Sequence, residues 1–153
     1  MNVLPVPYVS QITPGAEMHH NDCGAASSLM TLQAYNLGKE LTVDKVYDQI
    51  LPAGDLPLSV GSLQVLLAKY GVKNKRVGDM HVHDLFDNLV ALCPVIALIH
   101  YGVLVKAGLT EKTGFIGAHF VVVIGMDIKN VCIHDPYSLV RGVFLDVPID
   151  VWQ

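Results

Sequence analysis

The stretch Gly117-Ala118-His119-Phe120-Val121-Val122-Val123-Ile124-Gly125 decides the fold. Its β-branched, unbroken apolar run predicts a strand over Ala118 to Gly125 with little contact to water. Asp127 to Asn130 is turn material, and Val131 to His134 is a second short apolar run, so the two read as a hairpin through Lys129-Asn130. Pro94 to His100 and Gly142 to Val147 carry the same strand signal on either side. Upstream the texture changes. Ala26, Leu29, Met30 and Gln33 recur at helical spacing in a segment that starts at Asn21-Asp22-Cys23, with Asn21 or Asp22 as cap and Gly38 past the end. Further helices are expected over Val43 to Leu51 after Thr42, over Gly61 to Tyr70 before Gly71, and over Asp84 to Leu92. Helices followed by a run of strands predict an α+β fold with a mostly antiparallel sheet.

The chain has 153 residues, enough for one domain with a helical half over about 1–92 and a sheet half over about 93–153. Half of it is apolar (52%) and only 16% is charged, which excludes global disorder. A formal charge of −4 with no basic run argues against nucleic acid as a partner. Lys73-Asn74-Lys75-Arg76 is too short for that role and reads as a solvated edge. The first residues lack a basic and then apolar signal segment, and Pro94 to Lys106 is too short to span a membrane, so a soluble, cytoplasmic protein without membrane insertion is expected. Three cysteines, Cys23, Cys93 and Cys132, are not a disulfide framework.

Cys23 stands one or two residues inside a helix start, where unpaired amides and the helix dipole favour a thiolate. Gly24 after it leaves space beside the sulfur. A nucleophilic thiolate needs an imidazole to receive its proton and later give it to a leaving amine. His119, preceded by two small residues and followed by a rigid strand, is placed near a sheet edge with room for a substrate chain. Sixteen residues on, Asp135 would lie near it if the hairpin forms, and its carboxylate could accept the second ring proton. His134 is the rival imidazole, but neighbours on a strand point to opposite faces. His19, His20, His81 and His83 fit no closed zinc pattern with Cys23 and read as solvent-facing, so no metal or other cofactor is expected. His100 reads as a satisfied core residue, Cys93 and Cys132 as buried and unreactive, and Trp152 as packing on the core.

Four blocks occur in order: Val6-Pro7-Tyr8-Val9-Ser10-Gln11, Asp22-Cys23-Gly24-Ala25-Ala26-Ser27, Ala118-His119-Phe120-Val121-Val122-Val123-Ile124-Gly125 and His134-Asp135-Pro136-Tyr137. Together they resemble the bacteriocin-processing, double-glycine leader peptidases, a family of papain-like cysteine peptidases. The resemblance implies a stand-alone domain of that fold, with Cys23 as nucleophile, His119 as general base and acid, and Asp135 orienting His119. Gln11 would give its side-chain amide to an oxyanion hole with the amide of Cys23. Gln11 lies twelve residues before Cys23, further than in relatives fused to export transporters, and Thr13 to His20 reads as an insertion. The implied activity is hydrolysis of a peptide or protein substrate, after small residues such as Gly-Gly, through an acyl-thioester. The alternatives are a catalytically silent peptide-binding module of the same fold, and an amidase or acyltransferase using the same triad.

Overall fold

In the computed structural model, which describes residues 1–12, 14–16, 20–51, 56–111, 114–138 and 142–153, the β-branched run forms the longest strand and everything else is arranged around it. In chain order come β1 (Asn2–Val3), α1 (Cys23–Ala34), α2 (Val43–Ile50), α3 (Val60–Lys69) and α4 (Val82–Val90). They are followed by β2 (Val95–His100), α5 (Gly102–Lys106), β3 (Ala118–Met126), β4 (Asn130–His134), β5 (Leu145–Pro148) and α6 (Ile149–Trp152). All strand pairs are antiparallel. On one side of β3, β2 pairs along its first part and β1 along its last; on the other lie β4 and then β5. A bulge between Val123 and Gly125 shifts the β3–β4 register and adds twist.

The α+β expectation holds, with differences that have physical reasons. Helix α1 was read as having one apolar face, yet Gly24 to Leu32 are all buried. It is sandwiched. Ala25, Ala26 and Leu29 pack with Val43, Val46, Tyr47, Leu63 and Leu66 of α2 and α3, while Met30 packs on Val122, Ile124 and Cys132 of the sheet. α4, read with the helical half, packs instead on the opposite face of the sheet. There Leu85 and Leu89 join Val121, Val123, Val131, Ile133 and Val147. The sheet therefore carries α1, backed by α2 and α3, on one face and α4 on the other, where Trp152 is partly buried.

Helix ends follow local chemistry. Thr42 Oγ1 accepts from the Lys45 amide at 3.3 Å, as its position predicts. α1 ends at Ala34, four residues before Gly38. Asn36 holds φ +59°, and the amides of Asn36 and Leu37 donate to Gln33 and Leu32, so asparagine makes the left-handed terminus. α4 begins two residues earlier than expected because the Asp84 carboxylate accepts from the His81 amide at 3.2 Å. The strand expected from Gly142 starts only at Leu145, since the Gly142 carbonyl accepts from the Asp135 amide at 2.8 Å and Phe144 is left-handed at φ +53°.

That turn is tight. A Cβ on Gly142 would collide with the backbone oxygens of Asp135 and Ser138. Gly142→Ala is expected to cost about 1–3 kcal/mol of stability, whereas Gly78→Ala, with nothing within 4 Å of the added carbon, stays within about 0.5 kcal/mol of wild type. Equilibrium urea unfolding of the two variants checks this.

Candidate active site

Cys23 is the first residue of α1. Asp22 occupies the cap position, fully buried, but its side chain makes no capping bond to the helix, contrary to one of the two capping expectations. Its carbonyl accepts from the Ala26 amide at 2.8 Å, so the first turn is formed and Cys23 sits where the helix's free amides gather. The Cys23 side chain is half-buried against the cluster between α1, α2 and α3.

His119 is the second residue of β3, opposite Ile99 of β2, and only 2% exposed. β4 pairs with β3 only from Val122 onward, so at His119 the strand is flanked by β2 alone and the residue lies near a sheet edge, as expected. The expected open width beside it is absent. Gly117 admits the Phe115 ring, which comes within 3.0 Å of where a Cβ would stand, and Leu58, Leu63 and Phe120 fill the space next to Gly24. Tyr101, Phe115 and Tyr137 surround the imidazole with centroids at 4.8, 6.2 and 6.2 Å, each tilted edge-on.

Within this aromatic enclosure, His119 Nε2 lies 2.8 Å from Asp135 Oδ1, and the Cys23 side chain is near enough to the ring to act on its titration. With Nε2 committed to the carboxylate, Nδ1 is the atom left for sulfur. Burial pushes the imidazole's pKa down, but the hydrogen bonds to Asp135 and Cys23 and the charges of both outweigh it, raising the group to about 9.

Asp135, fully buried, follows β4 directly. Its Oδ1 also accepts from the Tyr137 amide at 2.9 Å, and the Tyr101 hydroxyl lies 3.2 Å from Oδ2. The N-terminal segment fastens the same turn. The Tyr8 hydroxyl reaches the carbonyls of Asp135 (3.0 Å) and Ser138 (2.7 Å), Ser10 Oγ donates to the Pro136 carbonyl at 3.3 Å, and the Gln11 amide donates to it at 2.9 Å. Gln11 is buried, and its Oε1 makes no hydrogen bond to a described residue. Tyr8 and Tyr101 did not stand out in the sequence as site residues. Tyr8 lies inside the first motif block, but nothing local in the sequence points to Tyr101.

The rival imidazole is engaged elsewhere. His134 Nδ1 accepts from the Phe144 amide at 3.2 Å, so Nε2 carries the proton and donates to the Val6 carbonyl at 3.0 Å. Burial pushes its pKa down. Cys132 is buried and its thiol is raised to about 12, first by burial and then by Asp146. Cys93 and His100 are both exposed, correcting their reading as buried: Cys93 follows α4 in a surface turn, and His100 ends β2, which has β3 on one side only. His20, His81 and His83 are exposed, and no cluster that could hold a metal ion exists among the described residues. Thr13 and residues 17–19, which include Glu17 and His19 of the inferred insertion, lie outside the described residues.

The two buried histidines act on stability in opposite directions. His119, raised from 6.5 to about 9, contributes stabilisation that is complete below 6.5 and lost as pH rises through 9. His134, depressed, must be charged in the unfolded chain as pH falls below 6.5, so it disfavours the fold there. Urea midpoints measured across this range should be highest near 6.5 and fall on both sides, and His119→Asn should flatten the alkaline fall alone.

No curated protein matches the chain. A crystal structure of a candidate C39-like peptidase from Bacillus anthracis superposes with a TM-score of 0.68 over 99% of this chain and 90% of that one, at 20% sequence identity, a likeness of fold. The family model described as Peptidase_C39-like matches residues 3–147, spanning every residue of the cluster just described. The chain belongs to the Peptidase_C39-like family.

Proposed function

We propose that this protein is a cysteine peptidase acting on a peptide or protein substrate, with Cys23, His119 and Asp135 as its triad. The observation that carries the reading is the imidazole held at 2.8 Å from a buried carboxylate on Nε2, with Cys23 near enough to act on its titration. A pKa raised to about 9 keeps that ring an imidazolium at neutral pH, the partner a thiolate needs. Cys23 Sγ attacks the scissile carbonyl carbon; a C–S bond forms and the carbonyl π pair moves to oxygen. The Cys23 amide at the start of α1 and the side-chain NH2 of Gln11 are the donors for that oxyanion. His119 gives its proton to the leaving amine as the C–N bond breaks, leaving an acyl-thioester. It then takes a proton from water, which attacks the thioester and releases Cys23.

Asp135 stabilises the imidazolium and fixes its ring, and its own three contacts leave it little freedom. The aromatic rings around His119 and the filled space beside Gly24 support a substrate with small residues, Gly-Gly among them, next to the scissile bond.

Cys23→Ala is expected to abolish peptide hydrolysis, and His119→Asn to lower kcat by about 10²–10⁴. Asp135→Asn should lower kcat with a smaller effect on KM. Because Cys93 is exposed, a thiol reagent will label both Cys93 and Cys23. The distinguishing result is an acyl or aldehyde adduct mapped by intact mass and peptide digestion to Cys23 alone. Turnover surviving Cys23→Ala, or an adduct on Cys93, sinks the proposal. A peptide library preferring bulky residues at the scissile bond rejects the small-residue specificity while leaving the triad intact.

A further inference from the structure

The link from α3 to α4 has to pass around the sheet, because α3 backs α1 on one face and α4 lies on the other. It passes at the outer edge of β2, and the two border a groove of about 960 Å³. The link does not pair with the strand: among the described residues β2 pairs with β3 alone.

Which backbone groups face the groove follows from the register. The Tyr101 amide donates to the Gly117 carbonyl directly opposite it, which makes these two a hydrogen-bonded pair, and such pairs alternate along an antiparallel ladder. Ile99, Ala97 and Val95 therefore bond β3, while Ile96, Leu98 and His100 turn their N–H and C=O groups outward. Natural sheet edges are guarded by charge, proline or a bulge. Val95 to His100 carries no acid, lysine, arginine or proline, its pairing is regular, and Leu98 is 52% exposed in mid-strand.

Two further features say what this edge takes. The groove's charged side chains among the described residues are Lys73, Lys75 and Arg76 against Asp79 alone, a cationic wall on a protein of formal charge −4. The groove also reaches Leu63 and Phe120, whose atoms stand 3.2 Å from where a Cβ on Gly24 would lie, so one end of it lies beside Cys23.

We propose that an extended acidic segment of the substrate docks here, adding as a strand to the edge of β2 with its carboxylates against Lys73, Lys75 and Arg76. Main-chain bonds to Ile96, Leu98 and His100 supply the affinity of such a complex, and the cationic wall selects the sequence. Calling the occupant a substrate rests on the peptidase reading, but the docking itself needs no turnover.

The experiment uses the full chain carrying Cys23→Ala, which leaves a bound peptide uncleaved, labelled for amide NMR. The probes are the capped peptide Glu-Val-Glu-Val-Glu-Val and its counterpart with lysine for every glutamate. The acidic peptide is expected to bind and to slow hydrogen exchange at the amides of Ile96, Leu98 and His100, with the lysine peptide weaker by about tenfold or more. Lys75→Glu combined with Arg76→Glu should weaken the acidic peptide about tenfold, since each exposed ion pair is worth a few-fold. Leu98→Pro removes an N–H that faces the groove and none that bonds β3, so the fold should stand and binding should be lost. If that variant unfolds, a fully N-methylated acidic peptide tests the same bonds from the other partner, and its binding undiminished overturns the proposal. So does no binding of the acidic peptide, equal binding of both peptides, or binding without protection at the three amides. Peptide hydrolysis by the wild type with none of this binding removes the docking site and keeps the triad; binding with no hydrolysis of any peptide does the reverse.

Discussion

The structure depends on one buried contact, His119 Nε2 against Asp135 Oδ1 at 2.8 Å. Two ionisable groups, 2% and 0% exposed, are tolerable inside a protein only when each satisfies the other and the remaining lone pairs are met. Here the Tyr137 amide and the Tyr101 hydroxyl reach the carboxylate, and Cys23 stands near the ring. Removing any one of these partners leaves a charge in a dry site, which is why the surrounding turn is fastened so heavily.

That fastening explains the N-terminal segment. Residues 6–11 form no long strand, yet Tyr8, Ser10 and Gln11 each bond the turn that carries Asp135, and the Val6 carbonyl takes the proton of His134. The segment thus bonds β4 and the turn after it, and it brings Gln11 to the same turn as Asp135. Gly142 closes the turn from the far side, where any side chain would displace the Asp135 carbonyl. Placement of one carboxylate is therefore shared by three parts of the chain distant in sequence.

The layer arrangement serves the same end. α1 is sandwiched between helices and sheet, which presents its first residue to the end of β3. A helix with one solvated face would pack on one side only and leave Cys23 with more freedom. Burying α1 on both sides requires small residues along it, and Ala25, Ala26, Ser27 and Ser28 supply them. Aromatic rings then seal the imidazole from water, which strengthens each polar contact inside.

The sequence by itself determined the types of the four longer helices and of β2 to β5, and the central hairpin, because strand and helix periods and turn residues are local signals; the short β1, α5 and α6 carried no such signal. It also offered Cys23, His119 and Asp135 as candidates, since each chemical type stood at the edge of a recognisable element. What it could not determine was which side of a residue is open. Gly24 and Gly117 read as space for a substrate, but distant side chains fill the first site and the Phe115 ring the second. Cys93 and His100 read as buried, yet Cys93 stands in the turn after α4 and His100 ends β2, which pairs on one side only, so both are exposed. Only the tertiary structure decided that Tyr8 and Tyr101 belong to the site, for their hydroxyls meet Asp135 across 127 and 34 residues of chain. Burial and long-range hydrogen bonds are properties of the packed layers, and no window of sequence contains both partners.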